Sequence, residues 1–250
     1  MYKKIIQLSK NKGEKLAKYA GRIKDIGVTK KFLTKLDVEI EREFVKLITS
    51  FPGNHAIFAE EENYSHEQAE NVWIIDPISS TLNFIRGIPH YAIAASHLIK
   101  SKVVFALIYD PSVQELFLAF KGRGATLNGQ RIKVSNNNSS EKLLLYEFSS
   151  RLFDLQKGLD LMKDLSSFGR VKKSFGSLAV HYSYVACGRV DGAITVNKDT
   201  FPEFAGKLLV EEAGGKVSDF RGNQLTINTR GVIFTNGLIH RKILDIVGKY

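Results

Sequence analysis

Two short apolar runs near the start of the chain each end on carboxylates, and this constrains the fold more than any other feature. Ala56-Ile57-Phe58-Ala59 runs into Glu60-Glu61-Glu62, and Trp73-Ile74-Ile75 runs into Asp76. Apolar runs this short read as strands. Both strands therefore deliver acids at a C-terminal edge. Beyond Asp76, Pro77 is expected to turn the chain, and Ser79 to cap a helix that begins near Ser80. Clustered acids at strand ends suit a hard divalent cation. Mg²⁺ takes oxygen ligands, keeps waters, and completes its shell with phosphate oxygens.

Composition narrows the class. At 250 residues and 44% apolar, the chain can bury a full core in one compact unit or two fused lobes. No run of about 18 apolar residues marks a transmembrane helix, so no membrane span is expected. Met1-Tyr2-Lys3-Lys4-Ile5-Ile6-Gln7 has too short an apolar stretch for a signal peptide. Cys187 is the single cysteine, which excludes an internal disulfide and fits a reducing, cytoplasmic setting. The net charge of +10 is concentrated, because residues 1–35 hold eleven Lys/Arg against Glu14 and Asp25. A solvated helix face accounts for such a segment. So does a surface for nucleic acid, an acidic protein or an anionic ligand. No RNA-binding signature sharpens the nucleic-acid option.

Periodicity gives the order of elements. Residues 2–23 read as an amphipathic helix with Ile5, Ile6, Leu8, Leu16, Ala17 and Ala20 inward, and a second helix spans 35–50. Strands are expected at 56–59, 72–75, 91–99, 102–109 and 115–120, and Asn128-Gly129 signals a hairpin within 126–133. Lys121-Gly122-Arg123-Gly124-Ala125 sits between strands, so it reads as a turn and not a phosphate loop. Ser135-Asn136-Asn137-Asn138-Ser139-Ser140 is the linker candidate. Strands near 143–148, 171–174, 191–196, 216–219 and 231–235 then alternate with helices near 153–166, 177–188, 202–213 and 238–249. His181 falls inside a helix as a packed or surface residue, and Cys187 reads as a small packing residue.

Several motifs occur together and in order. Thr34-Lys35-Leu36-Asp37 has the form Thr-x-x-Asp, and Ala59-Glu60-Glu61 stands where a Gly-Glu-Glu would. Trp73–Phe84, Gly122–Gly129, Gly176-Ser177, Val185–Gly192 and Ala205–Gly215 complete the series. Across residues 30–245 the series resembles the inositol monophosphatase family, whose central motif is Asp-Pro-Ile/Leu-Asp-Gly-Thr. The resemblance implies an α+β fold, a layered αβαβα sandwich of the inositol monophosphatase/fructose-1,6-bisphosphatase type. It also implies a homodimer and two lobes. Residues 1–134 would carry the metal-site carboxylates, 135–142 the linker, and 143–250 the rest of the cleft.

By the same resemblance, Glu60, Asp76 and the Ile78 carbonyl would hold a first Mg²⁺. Asp37 and Thr81 would orient or activate the attacking water. Ser79, Ser80, Thr81, Gly176, Ser177 and Asp199 would face a phosphorylated small molecule, and Thr195 falls where the family has a substrate-facing acid. Three of the departures from the pattern fall in the central and later motifs. Ser79 replaces the second aspartate, Ser80 the glycine, and Pro202 the aspartate of a later Trp-Asp-x-Ala-Ala-Gly motif. Ser79 and Pro202 both fall on the second metal, which stabilises the leaving oxygen. Pro202 fits a first helical turn, where its missing N–H costs nothing. Glu203 is adjacent, but one helical residue rotates a side chain by about 100°.

The leading expectation is a member with impaired or absent catalysis that keeps an anion pocket and one metal site. The first alternative is an active Mg²⁺-dependent phosphomonoesterase acting on inositol phosphates or sugar phosphates, fructose 1,6-bisphosphate included. The second is a factor that binds RNA or a protein partner through the basic N-terminal segment. Separately, the resemblance implies that the basic segment near residues 24–35 lies at the active-site mouth, where Lys30 or Lys31 would attract an anion without a second metal.

Overall fold

The computed structural model describes residues 1–27, 32–61, 69–149, 153–173, 176–196 and 201–250. Asp199, Lys30 and Lys31 lie outside the described residues. The chain opens with α1 (Tyr2–Tyr19) and α2 (Lys35–Thr49). A seven-stranded sheet follows in sequence order: β1 (His55–Ala59), β2 (Asn71–Ser79), β3 (Ala92–Ile99), β4 (Lys102–Asp110), β5 (Glu115–Phe120), β6 (Gly124–Leu127) and β7 (Gln130–Arg131). Only β1 and β2 run parallel in it, with short α3 (Thr81–Arg86) between β2 and β3.

A second sheet has the order β11-β12-β10-β8-β9. Its strands are β8 (Leu143–Phe148), β9 (Arg170–Lys173), β10 (Gly192–Val196), β11 (Lys216–Asp219) and β12 (Gly231–Thr235). The remaining helices are α4 (Leu155–Phe168), α5 (Leu178–Ala186), α6 (Phe201–Glu212) and α7 (His240–Val247).

Three apolar cores stack these elements into five layers, as an αβαβα sandwich requires. Helices α1 and α2 cover the outer face of the first sheet through Ile5, Leu16, Ile40, Phe44, Trp73 and Phe105. Helices α5 and α6 fill the space between the sheets, where Ile74, Tyr182, Leu209 and Phe234 share one core. Helices α4 and α7 close the far face over Tyr146, Ile194 and Ile233. Helix α5 is apolar nearly all round and buried on both sides, as expected for a central layer.

Two local expectations fail for physical reasons. The first helix ends at Tyr19, and its buried line is Ile5, Ser9, Gly13 and Leu16; Ala17 is exposed. Gly13 is needed because a Cβ there would come within 2.2 Å of the Tyr109 ring. Pro77 does not turn the chain. Strand β2 continues to Ser79, and the proline sits in a register shift between Asp76 and Ser79, where no ladder N–H is required. The linker candidate is irregular but anchored. Ser135 Oγ and Asn137 Nδ2 both donate to the buried carboxylate of Asp191, and Asn137 does so at 3.0 Å. The Asn128-Gly129 turn is present, with both residues at positive φ as a two-residue hairpin demands.

Candidate active site

Parallel pairing of β1 with β2 puts Ala59 beside Ile75, so Glu60, just past the end of β1, comes beside Asp76 within β2. Asp76 is fully buried. Asp37 approaches from the first turn of α2, held by a capping box. Thr34 N–H and Oγ1–H donate to Asp37 Oδ2 at 2.8 and 2.5 Å, while Leu36 N–H donates to Thr34 Oγ1. The other carboxylate oxygen, Oδ1, accepts from Thr81 Oγ1 at 2.9 Å. The Ile78 carbonyl lies 3.1 Å from the same hydroxyl. Asp37, Thr81 and Ile78 thus meet across 44 residues of sequence.

Burial pushes the Asp37 carboxyl up to about 6; the bonds from Thr34 and Thr81 oppose that shift, and the nearby Glu60 charge adds to it. The Thr81 hydroxyl has one proton for two acceptors. When Asp37 is ionised, that proton belongs with its carboxylate. When Asp37 is protonated, its own O–H can point at Thr81 Oγ1, and the Thr81 proton turns to the Ile78 carbonyl. The charge on Asp37 therefore decides whether Ile78 O keeps a donor.

The serine side is built differently. Ser79 does not cap α3. Its hydroxyl, 3% exposed, accepts from Ser177 Oγ–H at 2.8 Å and from Ala179 N–H at 3.4 Å. Ser177 is itself the N-cap of α5 and accepts from Val180 N–H. The position that precedes α3 belongs to Ser80, at φ +74° with no side-chain cap bond. The strand runs on through Ser79, so its side chain faces α5 instead of the start of α3.

Gly176 stands immediately before Ser177 at φ +131°, and a Cβ there would come within 2.3 Å of Asn83 Nδ2 and 2.5 Å of His90 Nδ1. Ser177 N–H donates to His90 Nδ1, and Asn83 Nδ2–H to the His90 carbonyl. Burial lowers the pKa of His90, and that of His181 to about 3. The structure thus joins Ser79, Gly176 and Ser177 in one knot, and Asp37, Thr81 and Ile78 in another. Thr195 is buried in β10.

Pro202 is buried within the first turn of α6, and Glu203 beside it is fully buried. Neither Ser79, engaged with α5, nor Pro202 offers a carboxylate to a second cation. For a first cation the donor chemistry fits, because Glu60, Asp76 and the Ile78 carbonyl are all hard oxygen donors. Among the described residues no three His, Cys, Asp or Glu side chains form a metal-binding group.

Two contributors were not singled out from sequence. Glu41 accepts from Glu61 N–H at 2.7 Å and fixes the exit from β1. Its spacing of four from Asp37 puts both acids on one face of α2, which was a readable signal. His90 had none, since it joins the site only through the approach of α5.

The match to known proteins follows the same lines. The family model of the inositol monophosphatase family matches residues 1–250. The chain belongs to that family. A Thermotoga maritima protein named fructose-1,6-bisphosphatase/inositol-1-monophosphatase is 32% identical over 98% of this chain and 94% of its own length. The Nus factor SuhB of Pseudomonas aeruginosa is 32% identical over 97% of this chain and 93% of its own. Among solved structures, a T. maritima inositol monophosphatase superposes with a TM-score of 0.87 at 31% identity, covering 99% of this chain and 96% of that one. The extragenic suppressor protein SuhB of Bartonella henselae also gives 0.87, at 28% identity, with 98% and 97% covered.

Proposed function

We propose that this chain is a catalytically impaired member of the family that binds phosphorylated small molecules and holds one Mg²⁺ instead of two. The observation that carries the reading is the bond from Ser177 Oγ to Ser79 Oγ at 2.8 Å. The residue that would be a metal-binding aspartate is used to tie the first sheet to α5. Glu60, Asp76 and the Ile78 carbonyl would hold the single ion. Such an ion supplies a water of lowered pKa and neutralises charge on a phosphoryl group.

The chain's own residues do the rest. Ionised Asp37 holds the Thr81 proton and leaves Ile78 O free as a ligand. Thr81 Oγ1 is then an acceptor that can orient a water. The backbone amides around Ser80 and Thr81 remain available to phosphate oxygens. What is lost is a fixed positive charge at the leaving oxygen, and loss of one such contact commonly costs on the order of 10²–10³ in rate. Asp199 and the pairing of two copies belong to the same proposal. The first is tested by the effect of Asp199→Ala on ligand affinity, the second by sedimentation.

A panel of inositol and sugar phosphates with Mg²⁺ tests the reading. Little turnover is expected. Robust phosphate release that Asp76→Asn abolishes would overturn it and favour the active phosphomonoesterase.

A second reading rests on the relatives named Nus factor SuhB, namely binding of RNA or an acidic protein. Lys12 and Lys15 are committed to Glu39 and Glu43 of α2, whereas Lys3, Lys4, Lys10 and Lys18 are exposed. RNA binding with a steep salt dependence that is lost on reversing those four charges would support it. Absence of binding at low salt would remove it.

A further inference from the structure

A second cavity lies against the outward flank of α6, away from the carboxylates. It encloses about 510 Å³, within the range of roughly 300–1,000 Å³ usual for small-molecule sites. Its floor is apolar, formed by Val103, Phe204, Leu208 and Leu225. Its rim is cationic, with Lys100, Lys102, Lys121 and Lys207 among the lining residues. In β-register, Lys102 pairs with Ile99, five residues along β3 from the partner of Asp76, so the rim lies on the order of 15–20 Å along the strands from that carboxylate.

The rim is held in place by specific contacts. Glu212 accepts from Gly122 N–H and Gly124 N–H at 2.7 Å each, which fixes the turn carrying Lys121 against α6. Lys207 is held by Glu211 at 2.6 Å. Lys100 and Ser101 form the two-residue turn between β3 and β4 with φ of +49° and +62°. Left-handed backbone at two consecutive non-glycine residues is costly, and Asn-Gly is the usual solution. The chain keeps an ammonium and a hydroxyl there instead. Among the described residues no carboxylate pairs with Lys102 or Lys121.

Charge selects the ligand. Lys207 is paired with Glu211 and Lys100 with Glu70 at 3.5 Å, so Lys102 and Lys121 are the two rim lysines without a carboxylate partner among the described residues. A phosphate monoester carries about −1.5 to −2 at neutral pH. The apolar floor adds a requirement that inorganic phosphate does not meet, because it rewards a ligand with an apolar or planar body. We propose that this cavity binds a nucleoside monophosphate, with the phosphate between Lys102 and Lys121 and the base over Phe204 and Leu208. The site is independent of whether the carboxylate centre turns over.

Calorimetric titration of the full chain with adenosine 5′-monophosphate tests this. Binding is expected, and both adenosine and inorganic phosphate should bind at least about tenfold more weakly. Combined Lys102→Glu and Lys121→Glu should weaken binding at least about tenfold while the melting temperature holds, since exposed charges contribute little to stability. Lys102→Gln with Lys121→Gln, which removes charge without reversing it, should weaken it by about threefold or more. Thr81→Val should leave it unchanged. The proposal is overturned if no binding is detected, if both lysine variants bind as the parent does, if inorganic phosphate binds as well as the nucleotide, or if Thr81→Val abolishes the binding.

Discussion

The two halves of the candidate centre meet at strand β2 and have opposite characters. On one side, the carboxylates of Asp37, Glu60 and Asp76 gather near the Thr81 hydroxyl, and burial raises Asp37 to about 6. On the other, Ser79 and Ser177 make a neutral hydroxyl pair that joins the first sheet to α5 and ends at a helix N-terminus. The second is a pair of mutually bonded neutral hydroxyls that carries no charge.

Restoring the lost charges is the strongest way to break this contrast. Ser79→Asp with Pro202→Asp should raise Mg²⁺-dependent phosphatase activity on the order of 10²-fold. Activity unchanged in a folded double variant would mean that the lost ligands are not the defect.

The next effect is a pH dependence confined to the first half. Asp37 has a folded pKa near 6 against an ordinary 3.8, so its neutral form favours the metal-free fold. That stability is present below the unfolded pKa and is lost as pH rises through about 6, by about 3 kcal/mol at most. Buried His97 and His240, both lowered to about 4, drift the other way and destabilise the fold as pH falls from 6.5. The difference in stability between parent and Asp37→Asn cancels the histidine drift. It should favour the parent increasingly from pH 6 down to 4, and a flat difference would show that Asp37 does not titrate in that window. Ser79→Ala, in contrast, should shift stability by an amount that does not change with pH.

That shift should be about 1 kcal/mol, the usual net worth of one hydrogen bond. A double-mutant cycle with Ser177→Ala measures the coupling directly, and coupling near zero would deny the Ser79–Ser177 bond its role. The smallest effect belongs to Ser80. Its φ of +74° is one that glycine adopts without steric cost, so Ser80→Gly should stabilise the chain by roughly 0.5 kcal/mol after the added freedom of the unfolded chain is counted.

Much of this was legible in the sequence, because the signals involved are local. Strand periodicity marked Glu60 and Asp76 together, and Thr34-x-x-Asp37 carried its own capping geometry. The alternation after residue 143 gave the second sheet and its helices. What was not legible depends on contacts distant in the chain. Ser79 read as a helix cap because a serine before a Thr-rich helix start is one. Only the approach of α5, 98 residues on, gives its hydroxyl a different partner. Pro77 read as a turn because its accommodation at a strand irregularity depends on pairing with β3. The basic N-terminal segment read as one surface, but part of it is neutralised by acids of α2 that lie 24–31 residues later. Fold-level pattern survived in the sequence, and the hydrogen bonding between β2 and α5 did not.

The most direct test counts cations. Mn²⁺, which replaces Mg²⁺ and is visible by electron paramagnetic resonance, is titrated into the chain with saturating phosphate. One ion per chain, lost in Asp76→Asn and retained in Ser79→Ala, is the expected result. Two ions per chain, or one that survives Asp76→Asn, would contradict a centre reduced to its first half.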